Sequence, residues 1–369
     1  MHVKELSLKN FRNYGSQEIE FTDGVNFIIG ENGTGKTNII EAISILSNIR
    51  SFRNTPDSEI IKWGESGYYC SLQAGDCIHK KFEVGCLYQK DGLKKKIKID
   101  GREISRSSEY YGKFLTVFFS PSDISIIYGP PEARRRFIDS AISKIDSGYI
   151  ATLLDFKKVL ANRNSILRRM RERKKSDDGQ LDVWDGLFSE KASVIIGIRK
   201  AFIERFASVF TGSYNKIMAG TGRPYIKYEP SIECEDRDYI FNRLVTSRKS
   251  DIYRGTTGHG PQRDEYLIMN ENGRIFNHFA SQGQKRIASI SLKISENEII
   301  EEDTGNKSIL LIDDIFSELD EKRRENMIEF LNKENQIIFT MANSNFTGLI
   351  NFNNHRNFFV EPGGIIKRQ

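Results

Sequence analysis

The residues with the clearest capacity for chemistry stand together near the N-terminus, in Gly30-Glu31-Asn32-Gly33-Thr34-Gly35-Lys36-Thr37. Their spacing is G-x-x-x-x-G-K-T, and each residue type answers a need of phosphate binding. Glycines let successive backbone N–H groups turn toward an anion, and a helix that starts at the end of the run presents its positive dipole end to the same anion. Lys36 is expected to reach the β- and γ-phosphates of a nucleotide and the Thr37 hydroxyl to ligate Mg²⁺, with the cradle running from Gly30 to Asn38. A chance match on a glycine-rich turn is the competing explanation. The flanks argue against it: a β-branched run, Val25–Ile29, precedes the loop, and a helical period, Ile39, Ile40, Ile43 and Leu46, follows it.

A second constellation lies far along the chain. Ser308-Ile309-Leu310-Leu311-Ile312-Asp313-Asp314 is an apolar run ending in two carboxylates, the form of a buried strand that delivers acids to a phosphate site. Asp313 would hold Mg²⁺ through its water shell, and Asp314 would orient or deprotonate the attacking water. An ordinary acidic turn after a strand is the plainer alternative. Just upstream, Ser281-Gln282-Gly283-Gln284-Lys285-Arg286 opens a helix. By itself this is no more than a helix cap. Its order after the phosphate loop and before the acidic strand is similar to the layout of ABC-type ATPases, in which such a motif binds the γ-phosphate of a nucleotide held by a second subunit. Phe316-Ser317-Glu318-Leu319-Asp320 resembles that superfamily's D-loop. Where a switch histidine is usual the sequence has Thr340, Met341, Ala342 and Asn343, so Thr340 and Asn343 are the candidate γ-phosphate sensors.

These groups need elements that bring them together. Short strands are expected over the first thirty residues, over 66–100 with turns at Asp91-Gly92 and Asp100-Gly101, and over 115–119. From about residue 131 the texture turns helical. Leu153, Phe156, Leu160, Leu167 and Met170 are spaced like a coiled-coil seam interrupted by Arg163, and Ile195, Ile198, Phe202, Phe206 and Val209 fit a helix returning antiparallel, with a turn in 172–180. Past Gly255 strands and helices alternate again: a strand at 266–269, a helix over 281–302, a strand at 309–312, a helix from Glu321 and a strand at 336–339. The expectation is an α/β fold, an ABC-ATPase-like P-loop head made of residues 1–128 plus 255–369 with a mainly helical arm, 129–254, inserted between.

Charge locates a further function. The 369 residues carry 55 Lys or Arg against 50 Asp or Glu, a net +5 that says little for the chain as a whole. Between Arg134 and Lys175, however, thirteen basic residues face four acidic ones. A cationic arm on a slightly acidic body suits contact with a phosphate backbone, with Arg134, Arg135, Arg136, Lys157, Lys158, Arg168, Arg169 and Arg171 as the expected DNA contacts. A solvated helix face is the other explanation, and Phe137 and Ile138 make Arg134 to Arg136 partly structural. The arm lacks interleaved aromatic residues, which favours duplex over single strand.

The match narrows to one family. Leu8-Lys9-Asn10-Phe11-Arg12-Asn13-Tyr14, the loop's continuation Thr37-Asn38-Ile39-Ile40-Glu41-Ala42, Ser51-Phe52-Arg53 and Phe119-Ser120-Pro121 come first. Gly129-Pro130-Pro131-Glu132-Ala133-Arg134-Arg135-Arg136-Phe137-Ile138-Asp139, Gly260-Pro261-Gln262-Arg263-Asp264, residues 281–286 and residues 313–320 follow in order. Together they resemble the RecF family of bacterial recombination-mediator ATPases over essentially the whole chain. The resemblance implies an ATP-dependent homodimer that binds duplex and gapped DNA and helps RecR and RecO load RecA in repair and replication-fork recovery. It implies ATP and Mg²⁺ as cofactors, Lys36, Asp313, Asp314, Ser281 and Gly283 as the groups acting on ATP, and Gln282 and Gln284 beside them. Arg12 and Asn13 are implied at the nucleotide, a surface arginine in a tight turn being the alternative for Arg12. Arg263 and Asp264 suit an internal ion pair as well as a functional one, and His259 suits a structural role. Asp314, shorter than the glutamate of transporter ATPases, implies slow hydrolysis.

Other classes fare worse. No stretch reaches the ~20 apolar residues of a membrane helix, and four cysteines, Cys70, Cys77, Cys86 and Cys234, form no C-x-x-C pair. A cytoplasmic, nucleoid-associated protein without membrane contact is expected. A transporter ATPase subunit shares the motifs but has no use for a basic arm. A non-catalytic module with ATP as glue does not need Lys36, Asp313 and Asp314 all intact.

Overall fold

The computed structural model describes residues 1–53, 55–76, 78–173, 178–218, 220, 222–331, 335–342, 354–362 and 365–368. Contacts divide the chain into two compact units, 1–123 with 216–218 and 290–369, and 124–215 with 219–289. Residues 255–289, grouped with the head in the sequence reading, thus fall in the second unit. The strand Glu265–Met269 pairs antiparallel with Tyr225–Glu229 there.

Among the described residues the first unit holds two six-stranded sheets. In one, Val25–Ile29 lies between His355–Glu361 and Ile337–Met341, followed by Ile309–Asp313 and Thr116–Phe119, all parallel, with Ile365–Arg368 antiparallel at the far edge. Parallel strands are covered on both faces, and the central ones are buried at almost every position. The other sheet is antiparallel, in the order Tyr14–Glu20, His2–Phe11, Gly67–Gly75, His79–Gln89, Gly92–Ile99, Arg102–Glu103. Its strands alternate, with Val3, Leu6, Leu8, Cys70, Leu72, Phe82 and Val84 inward.

After the Val25–Ile29 strand and the loop comes the helix Lys36–Asn48. The sequence pattern suggests one apolar stripe, but Ala42 and Ile45 are buried as completely as Ile39, Ile40, Ile43 and Leu46, because the helix packs between strands of both sheets. Ser44, Ser47 and Glu41 are buried with them, so this is an interior helix rather than one with a solvent-facing side. Burying each of these large aliphatic side chains contributes roughly 1.5–3 kcal/mol, which fixes the helix, and therefore the loop before it, to the scaffold. Gln336 clasps the two sheets: its amide donates to Val3 O (2.8 Å) and Thr22 O (2.6 Å) and its carbonyl accepts from Val3 N (2.7 Å).

The second unit is mainly helical, with Pro131–Ile145, Ser147–Arg173, Asp178–Ile217 and Arg237–Arg254 as its long elements. Ser147–Arg173 and Asp178–Ile217 form the expected hairpin. Phe156 meets Phe188 with ring centroids 4.9 Å apart, and Ile166, Leu167, Met170 and Leu181 form one cluster. Arg163, the interruption in the seam, is wholly buried and ionically paired. Arg237–Arg254, Tyr225–Glu229 and His355–Glu361 are among the described elements that escape the sequence patterns. Arg237–Arg254 buries only Ile240, Leu244 and the polar Asp251, too few apolar positions to show a period. Tyr225–Glu229 and His355–Glu361 are recruited by strands remote in sequence. Among the described residues no helix is long and apolar enough to cross a membrane.

Candidate functional site

The phosphate loop follows the Val25–Ile29 strand and ends at the helix beginning with Lys36, the setting the mechanism needs. Two glycines take left-handed backbone, Gly33 at φ 85° and Gly35 at φ 111°. At Gly35 a Cβ would also stand 2.4 Å from Asn13 Nδ2. Asn13 sits there for a reason: its amide donates to Thr34 O (3.0 Å), its Oδ1 accepts from Asn38 Nδ2 (2.8 Å), and Tyr14 OH donates to Gly35 O (3.1 Å). The first hairpin therefore braces the loop from outside. Gly35→Ala is expected to weaken ATP binding about tenfold or more, through backbone strain of roughly 1–2 kcal/mol and displacement of Asn13. Equilibrium binding of a fluorescent ATP analogue checks it, and affinity equal to wild type would show that the loop relaxes freely.

Lys36 folds back over the loop, its ammonium donating to Gly30 O (2.6 Å) and Glu31 O (2.7 Å). Burial pulls its proton affinity below that of a free lysine, while the Asp314 and Asp313 carboxylates oppose that shift. Thr37 Oγ1 donates to Asp313 Oδ1 at 2.8 Å, and Thr340 Oγ1 reaches the same oxygen at 2.5 Å. The phosphate loop, the acidic strand and the next strand of the parallel sheet thus converge on one carboxylate. Asp314 stands in left-handed backbone at φ 47°, with its N–H donating to Thr340 O at 3.2 Å. Thr37 and Asp313 form an all-oxygen, partly anionic donor set, which fits Mg²⁺ completed by phosphate and water. Asn343, the other candidate sensor, lies outside the described residues.

Arg12 has other partners than a nucleotide. Its guanidinium donates to Glu41 through Nε (2.9 Å) and Nη2 (2.6 Å), and to Glu59 O (2.9 Å) and Thr55 Oγ1 (3.1 Å). Glu41, fully buried one turn after Thr37, also accepts from Ser51 Oγ (2.5 Å) and Arg53 (3.4 Å). Tyr14, Glu41 and Arg53 are contributors that spacing alone does not single out.

In the second unit, Ser281 and Gln284 form a reciprocal capping box at the start of the helix Gln282–Thr304. Ser281 N donates to Gln284 Oε1 (2.8 Å) and Gln284 N to Ser281 Oγ (3.2 Å). Ser281 and Gln282 are exposed, with Gly283 half-buried behind them. In the D-loop-like segment Asp320 caps the helix Glu321–Phe330, accepting from Arg323 N at 3.0 Å.

The basic residues divide into two groups. Arg134 makes a two-pronged pair with Glu265 (2.8 and 2.9 Å) and Arg135 donates to Asp264 O (2.7 Å), so both brace the helical unit. Lys157, Lys158, Arg168, Arg169 and Arg171 are exposed on the Ser147–Arg173 helix, and Arg136 lies 3.8 Å from Glu132 on an exposed face. Asp264 pairs with Arg199 (2.7 Å) rather than with neighbouring Arg263, and also accepts from Tyr228 OH and Ser231 N. Burial raises its carboxyl above the usual range, against the pull of Arg199.

Residues 2–358 match the family described as RecF/RecN/SMC N terminal domain. The chain is 37% identical to the DNA replication and repair protein RecF of Caldanaerobacter subterraneus subsp. tengcongensis, over 94% of this chain and 96% of that one. Identity to the protein of the same name from Leptospira interrogans is 34%, over 92% and 91%. A solved recombination mediator protein RecF-ATP of the RecFOR pathway superposes with a TM-score of 0.90 at 36% identity, covering all of this chain and 97% of the other. An Smc head bound to a ScpA domain superposes at 0.57 with 16% identity, a likeness of fold alone.

Proposed function

The chain belongs to the RecF family of DNA replication and repair proteins, and from that premise we propose that it is an ATP-hydrolysing recombination mediator whose dimer closes on DNA. The observation that carries this reading is the convergence of Thr37, Asp313 and Thr340 beside Lys36 and Asp314. Backbone donors of 30–37, Asn38 and Lys36 would take the phosphates, and Thr37 with Asp313 would hold Mg²⁺, which neutralises phosphate charge when bound. Asp314 would orient and deprotonate the attacking water. Ser281 and Gly283, with Gln282 and Gln284, would complete the site of a second copy. An exposed motif already satisfied by its own cap supports a role outside its own unit. In functional terms 281–286 then belongs with the head (1–128, 255–369) and the arm is 129–254, although contacts group 281–286 with the helices. Arg136, Lys157, Lys158, Arg168, Arg169 and Arg171 would contact the backbone of duplex or gapped DNA, and RecR, RecO and RecA would be the partners in loading.

The test uses Asp314→Asn. Loss of a positioned base costs roughly 10²–10⁴-fold in rate, so phosphate release with DNA present should fall at least a hundredfold while ATP binding persists. Sedimentation should then show dimer accumulating with Mg-ATP. The same monomer fraction with and without nucleotide would defeat the closure mechanism, and unchanged phosphate release would remove Asp314 from the chemistry.

A further inference from the structure

The antiparallel sheet of the first unit packs one face on the interior; its other face carries Glu5, Glu18 and Glu20 toward the Tyr14–Glu20 edge and a stripe of lysines toward the Gly92–Ile99 strand. The register sets Lys9, Tyr69, Gly85 and Lys96 in one row across four strands. Lys94 and Lys98 flank Lys96 on the same strand and the same face, at steps of about 7 Å. Gly85 has no side chain to fill the row, and the result is a groove of about 400 Å³ lined by these lysines with Tyr69 beside them. The groove's one carboxylate is already taken: Glu83 accepts from Tyr69 OH at 2.5 Å and lies 3.6 Å from Lys81. Lys94 and Lys96 have only the exposed partners Asp91 (3.3 Å) and Glu103 (3.4 Å), pairs weak enough to exchange for a stronger anion.

A tryptophan lies in the turn that leads into the groove-lining residues Ser66 and Gly67. Asn10, which lines the groove, accepts from Lys62 N (2.9 Å) through its carbonyl and donates to Glu65 (3.0 Å) through its side chain, so it holds both ends of a tight turn. That turn carries Trp63, which is 98% exposed. A fully exposed indole beside a lysine stripe is a costly feature for an interior-seeking side chain, and it suits stacking on a base.

We propose that this face is a second nucleic-acid site, which takes one or two nucleotides of a single strand with phosphates on Lys94, Lys96, Lys98 and Lys9 and a base on Trp63. The groove has the volume of a small-ligand site, which admits a few groups of a strand but not a helix. An acidic peptide would satisfy the lysines and leave the indole without a partner. The inference rests on the DNA-binding reading and adds to it, because the aromatic residues of the basic helix Ser147–Arg173, Tyr149 and Phe156, are buried and cannot stack on a base. A gapped substrate presents both kinds of DNA, and the two surfaces would divide them.

The chain has two tryptophans, so in full-length Trp184→Phe the fluorescence reports Trp63 alone. Oligo-dT is expected to quench it. Lys94→Gln/Lys96→Gln/Lys98→Gln should weaken oligo-dT binding tenfold or more, lower the slope of log affinity against log salt by about 2, and leave duplex affinity unchanged. Trp63→Ala, at an exposed turn where folding is not at stake, should cost about tenfold in oligo-dT affinity. Wild-type oligo-dT affinity in both variants would overturn the proposal, as would quenching by polyglutamate but not by oligo-dT. Wild-type protein that binds no DNA of any kind would instead defeat the DNA-binding reading itself.

Discussion

Lys36→Ala is expected to lower ATP affinity about 100-fold, the equivalent of roughly 3 kcal/mol in charge-assisted hydrogen bonds, while the fold persists. Lys36 is 7% exposed, and its ammonium rests on Gly30 O and Glu31 O. Burial lowers its proton affinity, but two acidic neighbours, Asp314 and Asp313, raise it again. The cation is thus held where a phosphate arrives, with little reorganisation left to do. Removing it leaves the two carbonyls for water, a small loss at the edge of an open loop, and takes away the one side-chain cation of the cradle. Titration of a fluorescent ATP analogue, paired with thermal unfolding, separates the two effects. Affinity within threefold of wild type would mean that the backbone amides alone carry the phosphates. Lys36→Arg should fail almost as badly, because a planar guanidinium cannot copy a compact ammonium between two carbonyls.

Residues near each other in sequence carried most of what could be read of this site. Glycine at 30, 33 and 35, then lysine and threonine, define the loop by local backbone and dipole physics. The apolar run before Asp313 marks the strand by burial alone. The Thr37 to Asp313 contact follows from those two once the parallel sheet is assumed. Glu41 was not legible, since a glutamate on an apolar helix looks like a solvent-facing residue until Arg12, Ser51 and Arg53 are seen around it. Asn13 and Tyr14 stand in a motif of the family, yet their work on Thr34 O and Gly35 O depends on a hairpin folding against the loop. Charge counting was least reliable. Arg134, Arg135 and Arg163 raise the arm's total but are spent on Glu265, Asp264 O, Asp185 and Asp251. A linear count has no access to partners that lie 22 to 131 positions away.

Arg163 yields the largest expected loss of stability. It is 0% exposed, donates to Asp185 (2.6 Å), Asp251 (2.8 Å) and Thr257 (2.8 Å), and leaves Nη2 without a hydrogen bond. Asp185 keeps Arg248 at 2.6 Å when Arg163 is removed, and Asp251, 1% exposed, keeps Gly258 N at 3.0 Å and Ser247 at 3.3 Å but no cation. Arg163→Met should therefore destabilise the helical unit by about 3–5 kcal/mol, the cost of stranding a buried charge. Met fills much of the same space, so a lost cavity is not the cause. Urea unfolding followed by Trp184, which packs on the Leu167 and Leu181 cluster, reports this unit in a Trp63→Phe background. The decisive control is Asp251→Leu added to Arg163→Met, which removes the stranded carboxylate and should recover most of the loss, since apolar replacements of buried ion pairs are often neutral. If the double variant is no more stable than the single one, the penalty comes from packing, and the interrupted seam is merely a filled gap. If it recovers, Arg163 is an ionic clasp joining the hairpin to the helix Arg237–Arg254, and the arm carrying Arg168, Arg169 and Arg171 depends on that clasp for its rigidity.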